Sequence, residues 1–476
     1  MLSITDIHID KTSDVPLYKQ LADEILRLIQ NGILKPNDRL WPIRTASSAL
    51  SINSVTVVGA YKYLENKKAV YSQVGSGTFV SPLPLNTVPE PVAEQNIHFD
   101  KAFSEEEQSF PGMINLSDTS LPQSLFPVDE FKTAFDTLLD MQKGQAFSSA
   151  EIQGHAPLRQ RLCRYLSFYG INASAENIQI LSGAQQGIDI VTKAMASYGD
   201  IVFTEKPTFY GAAGAFLSRG CQIIEIPMLE NGVDTVALET LAKLYHPKFF
   251  YTMAYFQTPT GISVSLEKKR HVLELAEKYD FYIIEDDNLY DFNYGKSSIV
   301  PYKALDYRDR VIYIKSFSKI LMPGLRIGFS VLPKAIAKNI AEAKYTSDIS
   351  TSGFIQKALD IYLSNDTWQK HIETVRSYGN EQYKLAVKYC DRNLRDTCLY
   401  IKPNGGISLW VDTGLSDIEL LISKLRDKNV ILSNGRQFMM SGEKTSCVRL
   451  CFCNLSANKL EAGIRRMGEC IKSLKN

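Results

Sequence analysis

The sequence predicts an α/β fold for most of the chain, with a small helical head in front of it. Three observations lead there. Beyond about residue 112, apolar runs of strand length (IQILSG, DIVFTE, FFYTMAY, FYIIEDD and VIYIKSF) alternate with polar-faced helical segments such as LEKKRHVLELAEKYD. Buried strands separated by amphipathic helices imply a largely parallel sheet, with ligands collecting at the carboxyl ends of its strands. The first eighty residues read instead as short helices followed by a glycine-punctuated hairpin. At 476 residues the chain is also too long for one ordinary core, so at least two domains are expected.

In the head, PLYKQLADEILRLIQNGILKPNDRL places Leu17, Leu21, Ile25, Leu28 and Ile29 on one helical face, with Gly32 where a helix cap belongs. A second short helix is expected around Arg44 to Leu50, then a turn and a third helix from about Ser54. Two helices joined by a short turn are the minimum for docking in a major groove. AVYSQVGSGTFV follows, with β-prone runs around Gly75 and Gly77 that suit a wing hairpin. Lys62, Lys67 and Lys68 are candidate phosphate contacts.

From 81 to 111 the chain carries Pro82, Pro84, Pro89, Pro91 and the run Glu105, Glu106, Glu107, with little periodicity. This reads as a linker. About 30 residues at up to roughly 3 Å each reach far enough to bridge to a second subunit. The expected division is therefore a head over 1–80, a linker over 81–111 and a body over 112–476.

A lysine to form an imine, donors for a phosphate, an acid for a ring nitrogen and an aromatic surface each have a candidate in the body, and these are the four things a pyridoxal 5'-phosphate site needs. In KSFSKILMPGLRIGF, residues 315–329, Lys319 follows a strand ending near Phe317, while Ser316, Ser318 and Arg326 offer hydroxyl and guanidinium donors. The backbone amides of SGAQQG, among them those of Ala184 and Gln185, open a helix and add donors at its positive end. In IIEDDN, Asp286 stands at a strand end as the acid, with Asp287 the competing choice. KPTFYG offers Phe209 and Tyr210 for stacking.

Composition excludes other classes. An apolar fraction of 45% with 22% charged residues is that of a soluble globular protein, and no apolar run approaches the roughly 20 residues a membrane span needs. The start MLSITDIHID lacks the regions of a signal peptide, so a cytoplasmic location is expected. The eight cysteines are scattered, and Cys447, Cys451 and Cys453 lie in a strand-like stretch without zinc-ligand spacing. They are expected to be reduced thiols. With six dispersed histidines, no metal site is expected.

The head resembles the winged-helix domain of GntR-type regulators over nearly its whole length. The family's Arg after the proline turn matches Arg44, its Thr-Val matches Thr56-Val57, its Ala-Tyr and Leu match Ala60-Tyr61 and Leu64, and its wing is intact from Gly75 to Val80. The resemblance implies operator DNA as partner, contacted through Arg44, Ser54, Thr56, Lys62, Gly75 and Gly77. Two positions depart: Leu40-Trp41-Pro42 replaces Leu-Pro-Ser, and Ser54 stands where an Arg commonly opens the recognition helix. The missing arginine removes a phosphate or base contact, so affinity or operator preference is expected to differ.

From about residue 112 to the end the chain resembles fold-type I aminotransferases. The spacing of Asp286 and Lys319 matches, the stacking aromatic after the Pro matches Phe209, and the late Arg-Leu-x-Phe strand matches Arg449-Leu450-Cys451-Phe452. The resemblance implies Lys319 as the Schiff-base lysine and Arg449 as the grip on an effector's carboxylate. Thr258 replaces the asparagine of Asn-Pro-Thr-Gly. Asn288 or Leu289 replaces the tyrosine that follows the acid, with Tyr290 one step further on and counted among the cofactor-binding residues.

Winged helix, long linker and aminotransferase-like domain in this order resemble the MocR subfamily of bacterial transcription regulators. That resemblance implies a domain-swapped homodimer that binds operator DNA and senses pyridoxal phosphate or an amino compound through Lys319, with no efficient turnover. The alternative is an active aminotransferase carrying a DNA-binding head.

Overall fold

The computed structural model describes residues 4, 7, 9–11, 13, 15–73, 75–82, 91–92, 112–295, 299–365 and 367–475. The expected linker lies almost wholly outside them. Two compact units divide the chain: Met1–Glu90 with Val236–His246, and Pro91–Thr235 with Pro247–Asn476.

In the head, helix α1 (Leu17–Gln30) buries Leu21, Ala22, Ile25 and Leu28 and stops at Asn31. Gly32 follows at φ 68°, the left-handed conformation that ends a helix at little steric cost. Helix α2 (Ile43–Leu50) is capped by Ser51 in the left-handed region, and α3 (Ser54–Asn66) starts three residues beyond it, the Asn53 side chain accepting from Val55 N. Ala46, Val57, Ala60 and Leu64 bring α2 and α3 onto the α1 core. The Tyr61 hydroxyl donates to Trp41 O at 2.7 Å, fastening α3 to the approach to α2. Strands β1 (Val70–Gln73) and β2 (Gly77–Val80) pair antiparallel as the wing, with Tyr71 stacked on Phe79 at 5.6 Å.

The body is organised by an eight-stranded sheet. In chain order after the short strand β3 (Ile114–Asn115), its strands are β4 (Ile178–Leu181), β5 (Ile201–Lys206), β6 (Gln222–Leu229), β7 (Gly232–Val233), β8 (Phe249–Thr252), β9 (Tyr282–Asp287), β10 (Val311–Ser316) and β11 (Gly328–Val331). The spatial order is β4-β11-β10-β9-β8-β5-β6-β7. The run from β10 through β9, β8 and β5 to β6 is parallel, as expected. The antiparallel exceptions are β11, set between β10 and β4, and the edge strand β7. Residues of β4, β8, β10 and β11 are buried throughout, which explains their continuous apolar runs. Ile284, Ile312, Ile314 and Tyr251 pack with Ile188, Val191 and Phe216 in one core.

A smaller sheet joins β12 (Leu399–Tyr400), β13 (Ser408–Asp412), β16 (Cys447–Cys451) and β15 (Ser433–Asn434), in that order. Strand β14 (Val430–Ile431) pairs in parallel with β3, tying the start of the body to its carboxyl-terminal part.

Candidate functional site

The register of three strands builds an anion cradle. Gly328 of β11 stands opposite Ser316 of β10 on one side and Leu181 of β4 on the other, so Ser316 and the turn after Leu181 share one edge. That turn is Ser182–Gly183, with Gly183 at φ 103°, and the helix Ala184–Met195 opens directly from it. Arg326, itself left-handed at φ 47°, donates from Nη2 to Ser182 O at 3.3 Å. A Cβ on Gly183 would come within 2.8 Å of that guanidinium. Ser316 Oγ donates to Ser318 Oγ at 3.0 Å and accepts from Ser318 N at 3.2 Å. Two hydroxyls, a guanidinium and the first-turn amides of Ala184 and Gln185 thus meet at a helix amino terminus, a setting suited to a dianionic phosphate.

Lys319 lies one turn beyond β10. Its Nζ donates to Thr119 Oγ1 at 2.6 Å and Thr119 O at 3.1 Å. Next to Thr119, Asp118 accepts from Ser120 N, Ser120 Oγ and Asn454 Nδ2. Burial alone would raise the Asp118 carboxyl, but these hydrogen bonds, with the charge of Lys319, hold it below the usual carboxylate range.

The two candidate acids are distinguished by their partners. Asp286 Oδ2 accepts from the Tyr251 hydroxyl at 2.8 Å, whereas its buried Oδ1 has no hydrogen-bond partner among the described residues. Burial pushes this carboxyl up to about 6, against the pull of Tyr251 and with the help of the Asp287 charge. Asp287 is engaged at both oxygens: Oδ1 accepts from Tyr290 N at 3.0 Å, and Oδ2 accepts from the Tyr313 hydroxyl at 2.5 Å and from Lys315 Nζ at 3.3 Å. Lys315 also donates to Asp291 Oδ2 at 3.0 Å. Burial opposes the charge of Lys315, but Asp287 and Asp291 outweigh it and hold the ammonium above its ordinary range. An orphaned buried carboxylate oxygen calls for a donor, and a protonated pyridine nitrogen is one.

Phe209 caps the helix Tyr210–Leu217 and reaches the same neighbourhood. A Cβ on Gly211 would meet the Phe209 ring at 2.6 Å and Gln185 Oε1 at 2.8 Å, and Gln185 Nε2 donates to Gly211 O at 2.6 Å. The ring therefore lies beside the helix terminus that forms the cradle. Tyr210 turns towards Phe438, with centroids 6.1 Å apart. Arg449 on β16 donates from Nη2 to Ser433 Oγ at 2.9 Å and Ser117 O at 3.3 Å, 5.0 Å from the Phe438 ring centroid. One short segment, 117–119, thus holds both Arg449 and Lys319.

Tyr290 joins the network of Asp287 and Lys315. Its hydroxyl donates to Ile299 O at 3.0 Å and its ring packs edge-on against Tyr169 at 4.5 Å, beside Lys315. Leu289 is buried and apolar, and Thr258 is half-buried with a short hydroxyl where the aminotransferase pattern has an amide. In the head, Arg44, Ser54, Lys62, Gly75 and Gly77 are exposed and Thr56 is half-buried. Sequence reasoning missed Thr119, Tyr251 and Lys315, and also Arg39, an exposed cation whose guanidinium lies against Gly77 of the wing. Only Arg39 had a local signal, its place just before the Leu40-Trp41-Pro42 turn.

Residues 111–467 match the family described as aminotransferase class I and II. The chain belongs to that family. This aminotransferase-class protein also matches, over residues 17–80, the GntR family of bacterial regulatory proteins. It is 27% identical over 476 residues to the HTH-type transcriptional regulator YdfD of Bacillus subtilis, covering 98% of both chains. It is 26% identical to the probable rhizopine catabolism regulatory protein MocR of Rhizobium meliloti, covering 98% of this chain and 96% of that one. The kynurenine aminotransferase of Pyrococcus horikoshii, solved in complex with PMP, superposes with a TM-score of 0.74 at 30% identity, covering 79% of this chain and 94% of that one. A GntR-type head followed by an aminotransferase body makes this chain a MocR-type regulator. Pyridoxal 5'-phosphate is the cofactor of the aminotransferase-class body, and the cradle, Lys319 and the open oxygen of Asp286 fit its phosphate, aldehyde and ring nitrogen. No described helix is long and apolar enough to cross a membrane.

Proposed function

We propose that the protein binds operator DNA through its winged helix and reports on pyridoxal phosphate, or on an amino compound that reacts with it, through the site around Lys319. The observation that carries this reading is the open Oδ1 of Asp286 beside a complete phosphate cradle, in a chain that also holds a GntR-type head. When bound, the cofactor supplies an aldehyde reactive towards primary amines and a ring that withdraws electrons. Lys319 offers the amine for attachment, Asp286 holds the ring nitrogen's proton, Phe209 covers one face, and Ser316, Ser318, Arg326 and the amides of Ala184 and Gln185 hold the phosphate. Arg449 grips the carboxylate of an amino-acid-like effector. Attachment to the cofactor would take the Lys319 amine from Thr119, an effector amine in its place would free it to return, and differential stabilisation of two body conformations would then shift DNA binding.

On the same reading, the protein acts in the cytoplasm with a head over 1–80, a linker over 81–111 and a body over 112–476, and pairs into a homodimer whose linkers exchange heads. Two linked heads raise the effective concentration at a two-half-site operator.

The test starts from covalent attachment. After borohydride reduction, protein loaded with pyridoxal phosphate is expected to retain one cofactor per chain by mass spectrometry, and Lys319→Ala none. Retention by Lys319→Ala would sink the assignment. DNA binding to the protein's own upstream region, with and without cofactor and a panel of amino compounds, then separates a cofactor sensor from an amine sensor. Turnover of amino acid and keto acid at ordinary enzyme rates would favour the aminotransferase reading instead.

A further inference from the structure

The outward face of α3 carries hydrocarbon where a DNA-reading helix usually carries polar groups. On a helix of 3.6 residues per turn, Ser54, Val55, Val58 and Lys62 fall within about 100° of arc, and Val57, Ala60, Tyr61 and Leu64 fill the buried side. Val55 is 72% exposed, more than any other described large apolar side chain between residues 15 and 82, and Val58 is 36% exposed. Neither is needed by the head's own packing. The core takes Val57, Ala60, Tyr61 and Leu64, and the helix start is capped by Asn53.

An isopropyl group has no donor and no acceptor. In a major groove it distinguishes one base pair from another only through the C5 methyl of thymine, the apolar group on that edge. We infer that Val55 and Val58 read thymine methyl groups on neighbouring base steps of the operator half-site. Three residues of helix advance about 4.5 Å, close to the roughly 3.4 Å rise of one step. The exposed cations Arg39, Arg44 and Lys62 then serve phosphates, which fix register and carry no sequence information. This inference rests on the operator-binding reading and adds the base chemistry it recognises.

The experiment selects sites for the full-length protein, with and without pyridoxal phosphate, from a random-sequence duplex library. The selected site is then resynthesised with deoxyuridine replacing each thymidine in turn, which removes the methyl and leaves every hydrogen-bonding group in place. At two neighbouring steps per half-site the affinity is expected to fall about fourfold for each methyl, the equivalent of one buried methyl group. Replacing those pairs with cytosine–guanine and then with 5-methylcytosine–guanine is expected to restore about the same factor. A Val55→Ser, Val58→Ser variant, altered only at exposed positions and checked by thermal melting, is expected to bind thymine and uracil sites equally. Wild-type protein indifferent to every thymine-to-uracil change would overturn the methyl readout while leaving operator binding intact. A library that enriches no site would overturn operator binding itself, and the readout with it.

Discussion

Glu205 shows how a single buried group makes stability depend on pH. In the interior of β5 and without exposed surface, its carboxyl accepts from Thr252 Oγ1 at 2.5 Å and Met253 N at 3.2 Å. Burial pushes it up to about 7, against the pull of Thr252, Met253 and Gln257. Between about pH 4.5 and 7 the unfolded chain has released a proton that the folded chain keeps, so stability falls as pH rises across that window, by about 3 kcal/mol. Glu205→Gln keeps both contacts if Thr252 turns from donor to acceptor. In cofactor-free protein it is expected to narrow the difference in melting temperature between about pH 5 and pH 8, and an unchanged difference would refute the assignment. Legibility at this scale follows sequence distance. Lys319, Ser316, Ser318 and Arg326 lie in one short motif, and strand ends place such residues at a cleft. Asp286 and Asp287 could not be separated from sequence because their distinguishing partners, Tyr251, Tyr313 and Lys315, come from other strands. Where the Tyr290 side chain points was not legible from counting along a strand, because a short helical turn, Tyr290–Phe292, follows β9 there.

The strands themselves were legible, because continuous burial of β4, β8 and β10 imposes apolar runs that helices of that length rarely show. Their spatial order was not. The antiparallel insertion of β11 between β10 and β4 is a pairing between distant residues that leaves no local trace except a glycine. A Cβ on Gly328 would stand 2.6 Å from Lys315 O and 3.4 Å from Gly183 Cα, backbone contacts that no rotamer relieves. Gly328→Ala is therefore expected to spread β10 from β11, lower stability by about 2 kcal/mol and weaken cofactor binding, since Ser316 is its cross-strand partner. Gly324→Ala, with open space around the added carbon, is the control. Melting curves and a cofactor titration of both variants check the outcome, and equal behaviour would count against the cradle as drawn.

For the molecule as a whole, pairing of heads is the property to measure. Light scattering of the full-length protein is expected to give the mass of two chains, and a fragment over 1–82 the mass of one. The fragment, with its own core of Leu21, Ile25, Val57, Leu64 and Val80, is expected to bind a two-half-site operator at least a hundredfold more weakly. Equal affinities would remove the case for linked heads. The bonds from Lys319 to Thr119 and from Arg449 to Ser117 join residues 200 and 332 positions apart in the chain. Contacts of such span form late, after the entropy of closing very long loops has been overcome. Synthesis must therefore have passed residue 449 before the amine, the guanidinium and the segment that holds them come together. A nascent or carboxyl-terminally truncated chain would have a nearly finished sheet and still lack this arrangement.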